Sequence, residues 1–209
     1  MSEARFCVLR SRKQACALAV AFLAPLLCVS AARAQAGPEK GGHELAVWSS
    51  GGHSVSGGVS GIGVWDAGVR YGWILTEPHG PGVLRGNLEC AVGAVPVYVF
   101  FEPGRTVYGA SFEPLVLQWN FARHGRVVPY AQSSGGVLFT NHDLPAGIST
   151  VNFTPSAAAG IHILGDRFHW SAEIRYQHIS DAGLTKPNPG VNTIQGRIGF
   201  GWFSRAHKK

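Results

Sequence analysis

The sequence predicts an all-β protein, an eight-stranded antiparallel transmembrane β-barrel behind a cleavable leader. Three observations predict it. After residue 34 no apolar run is long enough for a membrane-crossing helix. The same stretch lacks sustained 3.6-residue periodicity; segments of alternating polarity, rich in aromatics and cut by Gly, Pro, Asn and Asp, recur instead, in a chain with 28 glycines. Finally, Glu173 and Arg175 fall mid-strand on a polar face, which a barrel lumen accommodates and a dry core resists. A soluble β-sandwich would alternate in the same way, so these mid-strand charges favour the barrel.

The leader comes first. "MSEARFCVLRSRK" is basic, "QACALAVAFLAPLLCVS" is apolar, and Ala32-Arg33-Ala34 is a small-x-small site, so residues 1–34 read as a signal peptide and 35–209 as the barrel domain. Leu27 precedes Cys28, which argues against a lipoprotein cysteine. Removing the leader leaves 13 Lys and Arg against 11 Asp and Glu, a net charge of +2, so the basic character belongs largely to the leader and no nucleic-acid partner is expected. Cys7, Cys16 and Cys28 leave with it, and Cys90 alone cannot form an intramolecular disulfide.

The eight strands are expected near 43–54, 62–75, 84–101, 106–122, 127–140, 149–163, 167–180 and 192–203. The last three alternate most cleanly. In 149–163, Val151, Phe153, Ala157, Ala159, Ile161 and Ile163 share one face. In 167–180, Phe168, Trp170, Ala172, Ile174 and Tyr176 oppose His169, Ser171, Glu173 and Arg175, and in 192–203 Ile194, Ile198, Phe200 and Trp202 oppose Gln195 and Arg197. With both termini in the periplasm, the short turns at 123–126 and 164–167 fall inside, and the longer 140–149 and 180–192 fall outside. The 102–106 turn is short for an outer loop and 76–82 long for an inner one. Trp73, Trp119 and Trp202 near strand ends suit an aromatic girdle.

Against this frame His178 and Ser180 stand out. Residues two apart on a strand share a face, with Cα atoms roughly 6.7 Å apart, and by parity these two continue the lipid-facing row Phe168 to Tyr176. A serine hydroxyl becomes a useful nucleophile when a base takes its proton, and histidine is the usual base. The pair is therefore a candidate base–nucleophile dyad at the level of ester-linked acyl chains in the outer leaflet. A strand end near the headgroups also tolerates His and Ser with no chemistry at all.

The segment "RYQHISDAGLTKPNPGVN" (175–192), which joins H-x-S, AGL and a PNPG turn, resembles the hallmark of PagL-type lipid A 3-O-deacylases and their acyloxyacyl-hydrolase-like relatives. That resemblance implies an outer-membrane eight-stranded barrel that hydrolyses the acyl ester at position 3 of lipid A, with a Ser–His–Glu triad and an oxyanion-hole asparagine. Carried over by position, Ser180 matches the nucleophile and His178 the base. Two positions depart: Asn192 stands where the family has its glutamate, and Asp181 where it has the oxyanion asparagine. Asn192 has the outward parity of Ile194 and should lie beside His178, where its amide oxygen could orient the imidazole without lending it charge. An ionised Asp181 would repel an oxyanion, so main-chain N–H groups of Ala182, Gly183 or Leu184 are the expected donors.

The expected protein is thus a lipid-A serine esterase of the cell outer membrane, with lipopolysaccharide as its partner and no metal or cofactor; a homodimer is compatible with it. Lys186 and Arg105, on outer loops, are candidate contacts for lipid A phosphates. An inactive structural or surface-interaction barrel of the same descent is one alternative, and a binding or transport barrel using Glu173, Arg175 and Arg197 is another. His162 and His169 could face each other across a turn, but two histidines without a third ligand read as structural. The glycines of 57–63 precede no helix and so form no phosphate loop.

Overall fold

The structure, a computed structural model, describes residues 37–204. The expected leader and residues 205–209 lie outside the described residues. Among the described residues nine strands form one antiparallel sheet: β1 (His43–Val55), β2 (Gly63–Ile74), β3 (Gly86–Glu102), β4 (Arg105–Phe121), β5 (Val127–Thr140), β6 (Val151–Phe153), β7 (Ser156–Leu164), β8 (His169–Ile179) and β9 (Val191–Phe203). Neighbours in the chain pair in order, β4 pairs with β5, and β1 pairs with β9 from Glu44↔Phe203 to Val55↔Asn192, so the sheet closes on itself. β6 and β7 both pair with β5 and share one stave, which makes the barrel eight-stranded as expected.

The division of the expected 149–163 strand has a local cause. Pro155 carries no N–H and cannot continue the ladder. Continuity survives the break because Thr154 N–H donates to Gly136 O at 2.9 Å and Pro155 O accepts from His178 N–H at 3.0 Å. Pro96 and Pro114 are absorbed differently: the β3–β4 register shifts between Val95 and Tyr98, and the β4–β5 register between Phe112 and Leu115. Such bulges are where a sheet tolerates proline.

Alternation sorts the side chains into an inverted protein. On β8 Ile174 is 68% exposed and Trp170 57%, while Arg175 is fully buried. Apolar groups outside and ions inside suit a wall surrounded by hydrocarbon. Tyr71, Trp73, Trp119 and Trp202 gather at the end that carries the termini; Phe101, Tyr108, Phe139, Phe153 and Tyr176 lie toward the end that carries loops 56–62, 103–104, 141–150 and 180–190.

The lumen is filled in three tiers. Toward the loop-bearing end Trp48, Ile62, Val64, Val95, Tyr98, Phe100, Val107, Leu138, Leu144, Ile179 and Val191 form an apolar plug. Toward the other end Ile74, Val128, Leu164 and Phe203 form a smaller one. Between them run ion pairs: Arg70 with Glu44 at 2.9 Å and with Glu89, and Arg175 with Glu173 at 3.0 Å and Glu113 at 3.2 Å. Arg197 lies over the Trp48 ring at 4.2 Å. Removing one member of such a pair strands the other, at a cost of about 3–5 kcal/mol. A cavity of ≈ 20 Å³ beside Glu44, Arg70, Tyr130 and His162 is room for about one water. These charges cross-link a packed interior and do not line a passage, which counts against the transport alternative.

Candidate active site

The site is built at the upper end of the β8–β9 hairpin. Its ladder pairs His178 with Asn192 and ends at Ile179↔Val191. The parity that turns Tyr176 and Ile194 outward therefore sets His178 and Asn192 side by side on the outer wall. His178 Nδ1 and Asn192 Oδ1 are 2.6 Å apart. An amide oxygen can only accept, so Nδ1 carries a proton, and in the neutral ring Nε2 presents the lone pair. Asn192 is only 6% exposed, and its Nδ2 donates to Ser56 O at 3.3 Å.

Ser180 leaves the β8–β9 ladder and is gripped from the other side. Its N–H donates to Phe153 O at 3.2 Å, and its carbonyl accepts from Phe153 N–H at 2.7 Å. Three strands thus converge on the dyad: β8 brings His178, β9 brings Asn192, and β6 holds Ser180. Among the described residues neither His178 Nε2 nor Ser180 Oγ has a hydrogen-bond partner. Such contacts are commonly long before substrate arrives and tighten in the complex.

Asp181 departs from what its charge suggested. Its carboxylate turns back on its own loop, accepting from Gly183 N–H at 2.9 Å and Thr185 N–H at 2.7 Å, while its carbonyl accepts from Leu184 N–H at 3.3 Å. Ala182 (φ 58°) and Gly183 (φ 83°) complete a tight turn with two left-handed residues. The Thr185 side chain, followed by the main-chain N–H groups of Gly183, Thr185 and Leu184, holds the Asp181 carboxyl below the ordinary aspartate range against the opposing effect of burial. Of the main-chain donors expected for an oxyanion, Ala182, Gly183 and Leu184, two are therefore engaged elsewhere. Gly183 and Leu184 have spent their N–H groups inside this turn, which leaves those of Asp181 and Ala182.

The two loop cations differ. Arg105 is occupied, its Nε paired with Glu102 and its Nη2 donating to Asp143 O at 2.6 Å, so it ties the β3–β4 turn to loop 141–150. Lys186 is exposed on the same loop as Asp181. Loop 141–150 also meets the dyad's own loop, through Thr185 Oγ1 to Ile148 O at 3.4 Å.

Deep in the lumen His162 and His169 do face each other, with ring centroids 4.7 Å apart. Glu44, which sequence reading passed over, joins them, and the donor atoms of the three buried residues lie within 4.8 Å of one another. The set fits a cation poorly. Gln118 Oε1 accepts from Arg70 at 2.9 Å, which turns Gln118 Nε2 toward His162 Nε2 at 3.1 Å. Facing an amide N–H, Nε2 must accept, so the proton sits on Nδ1, the atom a metal would need.

Sequence reading noted the glycines of 57–63 but missed the contact of loop 56–62 with the site. Val59 N–H donates to Gly190 O at 2.9 Å, which lays this loop against the one that carries the dyad. Nothing local in the sequence marked that contact, which spans 136 residues between Ser56 and Asn192.

Comparison with known proteins bears on the family and the fold. Residues 65–201 match the family described as "Lipid A 3-O-deacylase (PagL)". Among solved structures, the outer membrane enzyme PagL superposes with a TM-score of 0.57 at 21% identity, covering 74% of this chain and 97% of that one. The N-terminal β-barrel domain of Pseudomonas aeruginosa OprF gives 0.52 at 15% identity, covering 78% and 98%. The outer membrane protein OprG from Pseudomonas aeruginosa gives 0.52 at 12%, covering 81% and 99%. These likenesses carry the fold. No curated protein matches the chain.

Proposed function

The chain belongs to the lipid A 3-O-deacylase (PagL) family, and from that premise we propose that it is an outer-membrane serine esterase which removes the 3-O-linked acyl chain of lipid A, working from the lipid-facing wall. The observation that carries the reading is the 2.6 Å contact between His178 Nδ1 and Asn192 Oδ1, which leaves Nε2 free to act as base two residues from a serine on the same face. His178 Nε2 takes the proton of Ser180 Oγ as that oxygen attacks the acyl carbonyl. The N–H groups of Asp181 and Ala182 are the donors available to the oxyanion. Collapse breaks the sugar–oxygen-to-acyl bond and leaves the acyl group on Ser180, while the imidazolium gives its proton to the departing sugar oxygen, which leaves as a hydroxyl. Water, deprotonated by the same nitrogen, then releases the hydroxy fatty acid and restores Ser180.

Asn192 holds the ring but brings no charge to the imidazolium, so turnover below that of a glutamate-containing relative is expected. Lys186 is the remaining loop cation for a lipid A phosphate. The reading also has the leader of residues 1–34 directing export. A second reading, an inactive barrel of the same family, rests on one observation, the amide at the acid position. Mass spectrometry of lipid A from cells that express wild type or Ser180→Ala separates them. Loss of one hydroxyacyl chain only with Ser180 intact supports the esterase; unchanged lipid A in both supports the inactive barrel.

A further inference from the structure

We propose that the main-chain carbonyl of Ser56, in the first loop, is a positioning group that selects the base-competent tautomer of His178 by fixing which way the Asn192 amide faces. The proposal rests on the esterase reading of His178. An amide, unlike a carboxylate, has two ends with opposite hydrogen-bonding sense. With Oδ1 toward the imidazole, Nδ1 is protonated and Nε2 is the base. With Nδ2 toward it, Nδ1 becomes the acceptor and Nε2 carries the proton, so the nitrogen left to act on Ser180 is a donor where a base is needed. In a serine protease the corresponding fault lowers turnover by about 10⁴.

The structure resolves the choice with a third party. Ser56 O accepts from Asn192 Nδ2 at 3.3 Å, and a carbonyl cannot donate. Flipping the amide would set Oδ1 against Ser56 O and lose that bond. Ser56 directly follows the Val55↔Asn192 rung of the β1–β9 ladder, so its carbonyl is placed by sheet closure. Loop 56–62 is then pinned by Val59 N–H to Gly190 O at 2.9 Å and by Ile62 N–H to Ser54 Oγ at 3.0 Å.

Two glycines make the approach possible. Gly57 has φ +94°, and a Cβ there would lie 2.9 Å from Asn192 Nδ2. Gly190 has φ +61°, and a Cβ there would lie 2.9 Å from His178 Cε1. One glycine clears the amide and the other clears the ring. Asn192 is thereby matched to its loop: a carboxylate at this position would offer Ser56 O no N–H.

The test reads the tautomer directly. The full barrel, with ¹⁵N-labelled histidine, is folded into lipid nanodiscs, and the His178 ring nitrogens are assigned by NMR at a pH where the ring is neutral. The expected wild-type result is Nδ1–H with bare Nε2. Gly57→Ala, whose methyl meets Asn192 Nδ2, is expected to populate the Nε2–H form and to lower kcat for lipid A deacylation by at least about tenfold, with KM unchanged. Nε2–H in the wild type overturns the proposal even if the variant fails to fold, and so does a folded Gly57→Ala barrel with unaltered tautomer and kcat. If the tautomer shifts as expected while the wild type releases no fatty acid, the positioning role stands and the esterase reading falls.

Discussion

Replacing Asn192 with alanine isolates the contact on which the chemistry depends. The substitution deletes the acceptor 2.6 Å from His178 Nδ1 and leaves Ser180 and the barrel wall untouched. As the imidazole gains its proton in the transition state, that hydrogen bond becomes charge-assisted, worth about 1.5–3 kcal/mol. At 1.36 kcal/mol per decade, kcat should fall by about 10- to 100-fold. The lost Asn192–Ser56 bond adds only about 1 kcal/mol to the stability change, too little to unfold the barrel. The assay is release of hydroxy fatty acid from lipid A in mixed micelles by purified protein, with kcat and KM separated. A kcat within threefold of wild type would refute the reasoning, because the ring would then need no orienting partner. A loss as complete as that of Ser180→Ala would refute it too, because the amide would then be doing more than orienting.

Ser180→Ala should abolish fatty acid release while leaving heat-modifiable mobility in gels intact. Arg175→Met removes a fully buried guanidinium from Glu173 and Glu113 and should lower unfolding stability in urea by about 3–5 kcal/mol; a loss under 1 kcal/mol would mean that Arg197 re-pairs the carboxylates. Gly160→Val would drive a side chain into the Tyr130 ring, whose Cζ lies 2.5 Å from the position of a Cβ, so overpacking of about 1–3 kcal/mol should appear in the same urea titration. Because the folded Asp181 carboxyl titrates below its unfolded value of about 3.9, its contribution to stability is fully present above that value and fades as pH falls through the lower folded one. Asp181→Asn should therefore flatten the acid limb of a stability–pH profile, and an unchanged limb would show that the turn does not need the charge.

Most of the barrel could be read from period-two alternation, because strand parity is a local property of the chain. β1, β5 and β9 start and stop within a residue or two of their expected bounds. Parity also set His178 and Asn192 on one wall, since a hairpin fixes its own register. What escaped reading was non-local or conformational. The Pro155 break is bridged by backbone groups of β5 and β8 that no window around residue 155 contains. Asp181 looked like a repulsive charge at an oxyanion site, and only the left-handed Ala182–Gly183 turn directs its carboxylate onto its own amides. Glu44 joined the two lumen histidines from the far end of the sequence, and Ser56 reached Asn192 in the same way. These last two contacts depend on β1 meeting β9.

If the proposed chemistry holds, that seam decides when it can begin. The imidazole and the hydroxyl arrive together on one hairpin, yet the group that tells the asparagine which way to face arrives only when the first strand docks against the last. A nascent, unsealed chain on its way to the membrane would then carry His178 and Ser180 unarmed. On the proposed reading, hydrolysis would wait for the ring of strands to shut, and only finished molecules would meet lipid as catalysts.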